Sequence, residues 1–77
     1  MEFSLKSKDN VYPCEVTIDE DNGRFMIRNT DSTGEVFNSP EELVVWIIEN
    51  WESSDFESEQ DFDIMMKEIE VYLQINH

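Results

Sequence analysis

The 77-residue sequence predicts an α+β domain: a three-stranded antiparallel meander over residues 1–38, then two packed helices over residues 39–77, in two layers. Three observations predict it. The first half alternates apolar and polar side chains with a period of two, broken by short turn signals. The second half carries two apolar stripes at helical spacing. Each stripe is preceded by a serine-led capping sequence. Hydrophobic residues make up 39% of the chain and include five Phe, two Trp and two Tyr, too apolar a composition for a disordered acidic tail.

The first strand is expected over Glu2 to Lys8, with Phe3 and Leu5 on one side and Lys6 and Lys8 among the polar partners. Asp9-Asn10 is a turn signal. A second strand runs from Val11 to Ile18, with Cys14, Val16 and Ile18 on one face and Glu15 and Thr17 on the other. Pro13 lacks a backbone donor, so the strand lies at an edge there or begins after it. Asp21-Asn22-Gly23 marks a hairpin, because Asn-Gly tolerates positive φ at both central positions of a tight turn. Arg24 to Asn29 returns as the third strand, Phe25 and Ile27 opposite Met26 and Arg28. A further turn at Asp31 to Gly34 leads to Glu35-Val36-Phe37, a short extended piece.

Ser39-Pro40-Glu41-Glu42 then combines an N-cap serine, a proline at the first helical position and a glutamate three residues after the cap. Leu43, Val44, Ile47, Ile48 and Trp51 form one stripe, widened by Val45 and Trp46, so this helix is expected to be the buried spine. Ser58 with Asp61 forms a second capping pair. Phe62, Met65, Met66, Ile69, Tyr72 and Leu73 mark one face of the closing helix, while Ile64, Val71 and Ile75 lie off it.

Charge dominates the composition. Nineteen acids against five bases give a net −14. So few Lys and Arg exclude direct, counterion-displacing binding to nucleic acid, and the same imbalance disfavours an anionic membrane surface. No apolar run approaches a membrane span, and MEFSLKSKDN lacks the apolar region of a secretory signal, so a cytoplasmic location is expected. The charge is also uneven. Residues 1–28 hold six acids and four bases, whereas residues 29–77 hold thirteen acids and one base, Lys67. Glu52, Asp55, Glu57, Glu59, Asp61 and Asp63 fall within twelve residues that contain no base, and Glu15, Asp19, Glu20 and Asp21 gather at the hairpin.

The usual catalytic chemistries lack their residues. The lone Cys14 sits in a strand-like segment, where a small buried hydrophobe is expected, and one cysteine excludes an internal disulfide and a CxxC metal site. The only histidine is His77. There is no phosphate cradle and no nucleophile elbow. In Asp19-Glu20-Asp21-Asn22-Gly23, placing Gly23 at the sixth position of a calcium loop puts Ile18 first and Asn29 twelfth, and neither fits. The reading is a non-enzyme with no catalytic residues, no metal and no cofactor.

Dense like charge destabilises a small domain through self-repulsion. It serves solubility, or it meets a strongly basic partner. Duplex DNA, with a charge every ~1.7 Å, is what basic clefts are built to hold, and a carboxylate-studded domain fits the same cleft. Trp51 and Phe56 stand among these acids. Core packing is the expected use of Trp51; Phe56 suits either burial or a desolvated anchor.

The pattern from the hairpin through Gly23 and from Ser39 to Ile69 resembles the small acidic phage anti-CRISPR inhibitors of type II-A nucleases. The shared features are the Asn-Gly hairpin between strands, an apolar helix ending in Glu49-Asn50-Trp51, the acidic loop Asp55-Phe56-Glu57-Ser58-Glu59, and Asp61-Phe62 opening a helix with Met66. About two-thirds of the chain is covered. The resemblance implies a DNA mimic that fills the PAM-reading cleft, with contacts at Asp21, Asn22, Gly23, Phe56, Glu57 and Glu59. Two departures stand out. Ser58 replaces an acid, and a strand beginning at Phe3 replaces the family's N-terminal helix.

The partner-binding residues expected on these grounds are Asp19, Glu20, Asp21, Asn22 and Gly23 in the hairpin and Glu52, Asp55, Phe56, Glu57, Glu59 and Asp61 in the loop. The expected function is a non-enzymatic inhibitor, of phage or mobile-element origin, that imitates DNA in a basic nucleic-acid-binding protein. A CRISPR nuclease is the leading target and a host DNA-binding protein the next. The alternative is a small acidic protein–protein interaction module whose contacts lie on Ile64, Val71 and Ile75. Oligomeric state is not readable from the sequence.

Overall fold

A computed structural model describes residues 1–9, 12–29 and 33–76, with side chains through Gln74. The elements follow in the order β1 (Glu2–Leu5), β2 (Cys14–Asp19), β3 (Arg24–Arg28), β4 (Gly34–Phe37), α1 (Pro40–Asn50), a 3₁₀ turn (Ser53–Asp55) and α2 (Glu59–Asn76). The α+β class and the two halves of the chain follow the sequence reading. The sheet, however, has four antiparallel strands in the order β1-β2-β3-β4, not three.

The added strand is the short piece after Gly34. Its three alternating residues are too few to announce a strand, but pairing with β3 sets Phe37 beside Phe25, a cross-strand aromatic pair of the kind that stabilises sheets. The same register places Glu35 opposite Ile27, on the core-facing side, where it remains exposed at the sheet edge. A charge in that position discourages edge-to-edge pairing. β1 stops at Leu5 instead of Lys8, and β2 begins at Cys14, just after Pro13. Of the expected turn residues, Asn10, Asp31 and Ser32 lie outside the described residues, as does Val11 of the expected second strand.

Alternation decides the faces. Leu5, Cys14, Val16, Ile18, Phe25 and Ile27 point inward and are buried. Thr17, Met26 and Val36 align across the outer face with Glu15 and Arg28 beside them. Both helices cover the inner face, α1 over β3 and β4, α2 over β1. Leu43 and Ile47 of α1 and Phe62, Met65 and Ile69 of α2 complete the core. Burying each such side chain contributes about 1.5–3 kcal/mol.

α1 is not the buried spine. Leu43 and Ile47 are buried, but Val45 is 52% and Ile48 66% exposed. A helix on the surface of a two-layer domain buries one stripe, and widening that stripe in sequence does not add a second layer to cover it. Its N-terminus also differs in detail. The Ser39 hydroxyl accepts from Glu42 N–H at 3.3 Å, whereas the Glu42 carboxylate accepts from Asn38 N–H, one residue before the cap, at 3.0 Å.

Candidate anionic interface

The loop between the helices is built around one ring. Phe56 is 2% exposed, stacked on Phe62 with centroids 5.2 Å apart, and edge-on to Trp51 at 5.4 Å. Trp51 in turn meets Trp46, and Trp46 meets Phe37, so an aromatic series runs from β4 to α2. Of the two uses open to Phe56, the ring takes burial, and its place among the expected partner-binding residues is corrected. The ring faces the core because the flanking backbone pairs with the residues after β1: Glu57 N–H donates to Lys6 O at 2.9 Å, and Lys8 N–H donates to Asp55 O at 3.0 Å.

Short-range bonds hold the rest of the loop. The Asp55 carboxylate accepts from Glu52 N–H at 2.9 Å, and the Ser54 hydroxyl donates to Glu52 at 3.4 Å. The Ser53 hydroxyl donates to Glu59 at 3.4 Å, and Ser58 caps α2 by accepting from Asp61 N–H at 3.2 Å. Glu52, Asp55, Glu57, Glu59, Asp61 and Asp63 are all exposed. Acids at the first turn of α2 also suit the positive end of the helix dipole. One ion pair crosses to the residue after β1, Lys6 Nζ to Glu57 at 3.6 Å between exposed side chains, a geometry worth little in water. The loop thus presents carboxylates from a fixed backbone.

The hairpin carries a second acidic group. Pairing ends at Asp19↔Arg24, so the loop holds four residues, and the two-residue Asn-Gly turn expected from sequence is replaced by a longer one. Gly23 N–H donates to Glu20 O at 3.2 Å, and Gly23 takes φ 65°, a conformation that suits glycine. The Asp19 carboxylate accepts from Asn22 Nδ2 at 2.8 Å and from Asn22 N–H at 3.4 Å. The side-chain bond from Asn22 is the main cause holding its carboxyl below the usual value. Glu20 faces the buried hydroxyl of Tyr72 on α2. Burial first, then Glu20, pushes that phenol up to about 12, with Glu41 and Asp21 adding to it.

The two acidic groups lie at opposite ends of the sheet. The interhelical loop abuts the end of β1, where Leu5 pairs with Cys14, while the tip follows Asp19 at the other end of β2. Six residues of strand separate these ends by roughly 17 Å. Asp19, Glu20, Asp21, Asn22 and Gly23 therefore form one group, and Glu52, Asp55, Glu57, Glu59 and Asp61 another. The chain matches no protein-family model, no curated protein and no solved structure.

Between the two groups runs α2, whose eighteen residues span about 27 Å. Its exposed Asp63, Glu68 and Glu70 extend the loop's acids toward the tip. Sequence reasoning passed over Glu68 and Glu70 because it sought a dense run; helical spacing sets Glu68 two turns beyond Asp61 and Glu70 two turns beyond Asp63, on two different sides of α2. Among the described residues no three His, Cys, Asp or Glu converge to hold a metal, and no charged side chain is buried. Cys14 is buried. Among those residues no helix is long and apolar enough to cross a membrane.

Proposed function

We propose that this chain is a non-enzymatic antagonist that imitates the charge of duplex DNA and occupies a basic nucleic-acid-binding groove. The carrying observation is the exposed carboxylate series Glu52, Asp55, Glu57, Glu59 and Asp61, followed along α2 by two acidic rows, Asp61 with Glu68 and Asp63 with Glu70. Scale supports the reading. The molecule is 34 Å long, about one duplex turn, over which DNA carries roughly 20 charges; the chain carries −14. Asp19, Glu20 and Asp21 join the contact in a groove that follows α2 to the far end of the sheet. The resemblance to anti-CRISPR inhibitors makes the PAM-reading cleft of a type II CRISPR nuclease the first target, where arginines that read PAM guanines would meet carboxylates, and a host DNA-binding protein the second.

The test measures binding of the full chain to a guide-loaded type II-A nuclease, with and without a PAM-bearing duplex. Changing Glu57, Glu59 and Asp61 together to Lys takes the net charge from −14 to −8, each swap adding two. The triple variant should stay folded and lose binding at least tenfold. Wild-type binding should be displaced by the duplex and weaken steeply between 50 and about 300 mM salt. Undiminished binding by the triple variant overturns the reading. The alternative interaction-module reading draws support from exposed Ile48, Ile64 and Val71; Ile75, also expected there, has no described side chain.

A further inference from the structure

α1 and α2 meet along a groove that the core does not fill. Val44 and Ile48 form one wall, Met66 and Leu73 the other, with buried Ile69 at its base and Glu70 at its lip, enclosing about 270 Å³. Ile48 is 66% exposed, a large apolar side chain left open to water. Helical spacing puts carboxylates on both banks. Glu41 stands one turn before Val44, and Glu52 follows the end of α1. On α2, Glu59, Asp63 and Glu70 lie on the outer side of the row containing Met66 and Leu73, and all five acids are exposed.

We infer that this groove docks a basic amphipathic helix, its apolar face against Val44, Ile48, Met66 and Leu73 and its Lys or Arg flanks over the acidic banks. The seven steps from Met66 to Leu73 cover about 10.5 Å, two turns, which matches anchors at i, i+3 or i+4, and i+7 on the incoming helix. Met66 supplies an adaptable wall. Charge selects this occupant over a second copy of the chain, which would bring two acidic rims into apposition. It also selects against nucleic acid, which the same rims repel. Glu52, Glu59, Asp63 and Glu70 belong to both surfaces, so it is the apolar wall at Ile48 and the ordered-against-scrambled comparison, not the acids, that separate this inference from the DNA-imitation reading.

The probe is a 14-residue helical peptide of Leu and Lys with Leu at the anchor spacing, compared with a scrambled peptide of identical composition, at 150 mM NaCl. Methyl NMR on the full chain should show shifts at Val44, Ile48, Met66 and Leu73, with the ordered peptide at least tenfold tighter than the scrambled one. Ile48→Ser, at an exposed position, should keep the fold and weaken the ordered peptide at least fivefold while leaving the scrambled peptide unchanged. Equal affinities for the two peptides, shifts confined to the loop or the hairpin tip, or sedimentation showing that a second copy fills the groove would each overturn the inference.

Discussion

Phe56 decides whether the acidic loop is a fixed display or a flexible tether, and Phe56→Ala tests it. The ring is 2% exposed and contacts two other rings at 5.2 and 5.4 Å. Truncating a buried Phe costs about 3–5 kcal/mol, toward the upper part of that range where stacked partners are lost as well. A domain of 77 residues has a total stability of roughly 4–12 kcal/mol, so the change removes a third or more of it. With a urea slope of about 1 kcal/mol/M for a domain this small, the unfolding midpoint should fall by about 4–5 M. A weakly stable wild type would leave the variant unfolded in buffer. Phe56→Leu, which keeps most of the volume, should fall between the two. The assay is urea denaturation followed by tryptophan fluorescence, since Trp51 touches the ring and Trp46 touches Trp51. A midpoint shift below about 0.5 M with unchanged slope would refute the buried ring and return Phe56 to the surface.

Two further changes probe the hairpin and its contact with α2. Gly23→Ala adds a Cβ that meets nothing within 4 Å, so its cost is the backbone strain at φ 65° alone, about 1–2 kcal/mol; Gly23→Asn should cost less, and equal midpoints for glycine and alanine would refute the left-handed turn. Tyr72 has its phenol raised to about 12 by burial and by Glu20. The folded state holds the proton more tightly than the unfolded chain, so that stabilisation is complete below about pH 10 and is lost as the pH climbs toward 12. Urea midpoints of Tyr72→Phe should therefore fall less than those of the wild type between pH 9 and 11.5, and parallel curves would count against the buried hydroxyl.

Much of the fold was legible because short-range patterns carry it. Period-two alternation placed Val16, Ile18, Phe25 and Ile27 inside, and all four are buried. Ser39 and Ser58 announced both helix starts, since a cap is a local bond. What escaped depends on partners distant in sequence. The extended piece at Glu35 to Phe37 becomes a strand because β3 offers it a partner, and Phe56 is buried because Lys6 and Lys8 pair with the loop backbone; the pairings themselves have no local signature. The candidate site suffered for the same reason. Charge density along the chain put Asp21 and Glu57 in one imagined surface, yet strand register sets them at opposite ends of β2. The apolar stripe of α1 named its residues without revealing that Ile48 would stay outside, because exposure depends on how many layers the whole chain can build.

The uncovered outer face of the sheet holds Arg28 beside Glu15, with Arg24 paired to Asp19 at its end. Residues 1–38 contain eight acids and four of the five bases, a balance of −4, while residues 39–77 contain eleven acids and one base, a balance of −10. The molecule is consequently an electric dipole as well as a polyanion, negative pole on the helices. A cationic surface exerts a torque on such a body within a Debye length of about 8 Å at physiological salt, turning the helical layer forward before any atoms touch. Orientation is thus biased during approach, since the helical layer is drawn to a cationic surface more strongly than the arginine-bearing side is.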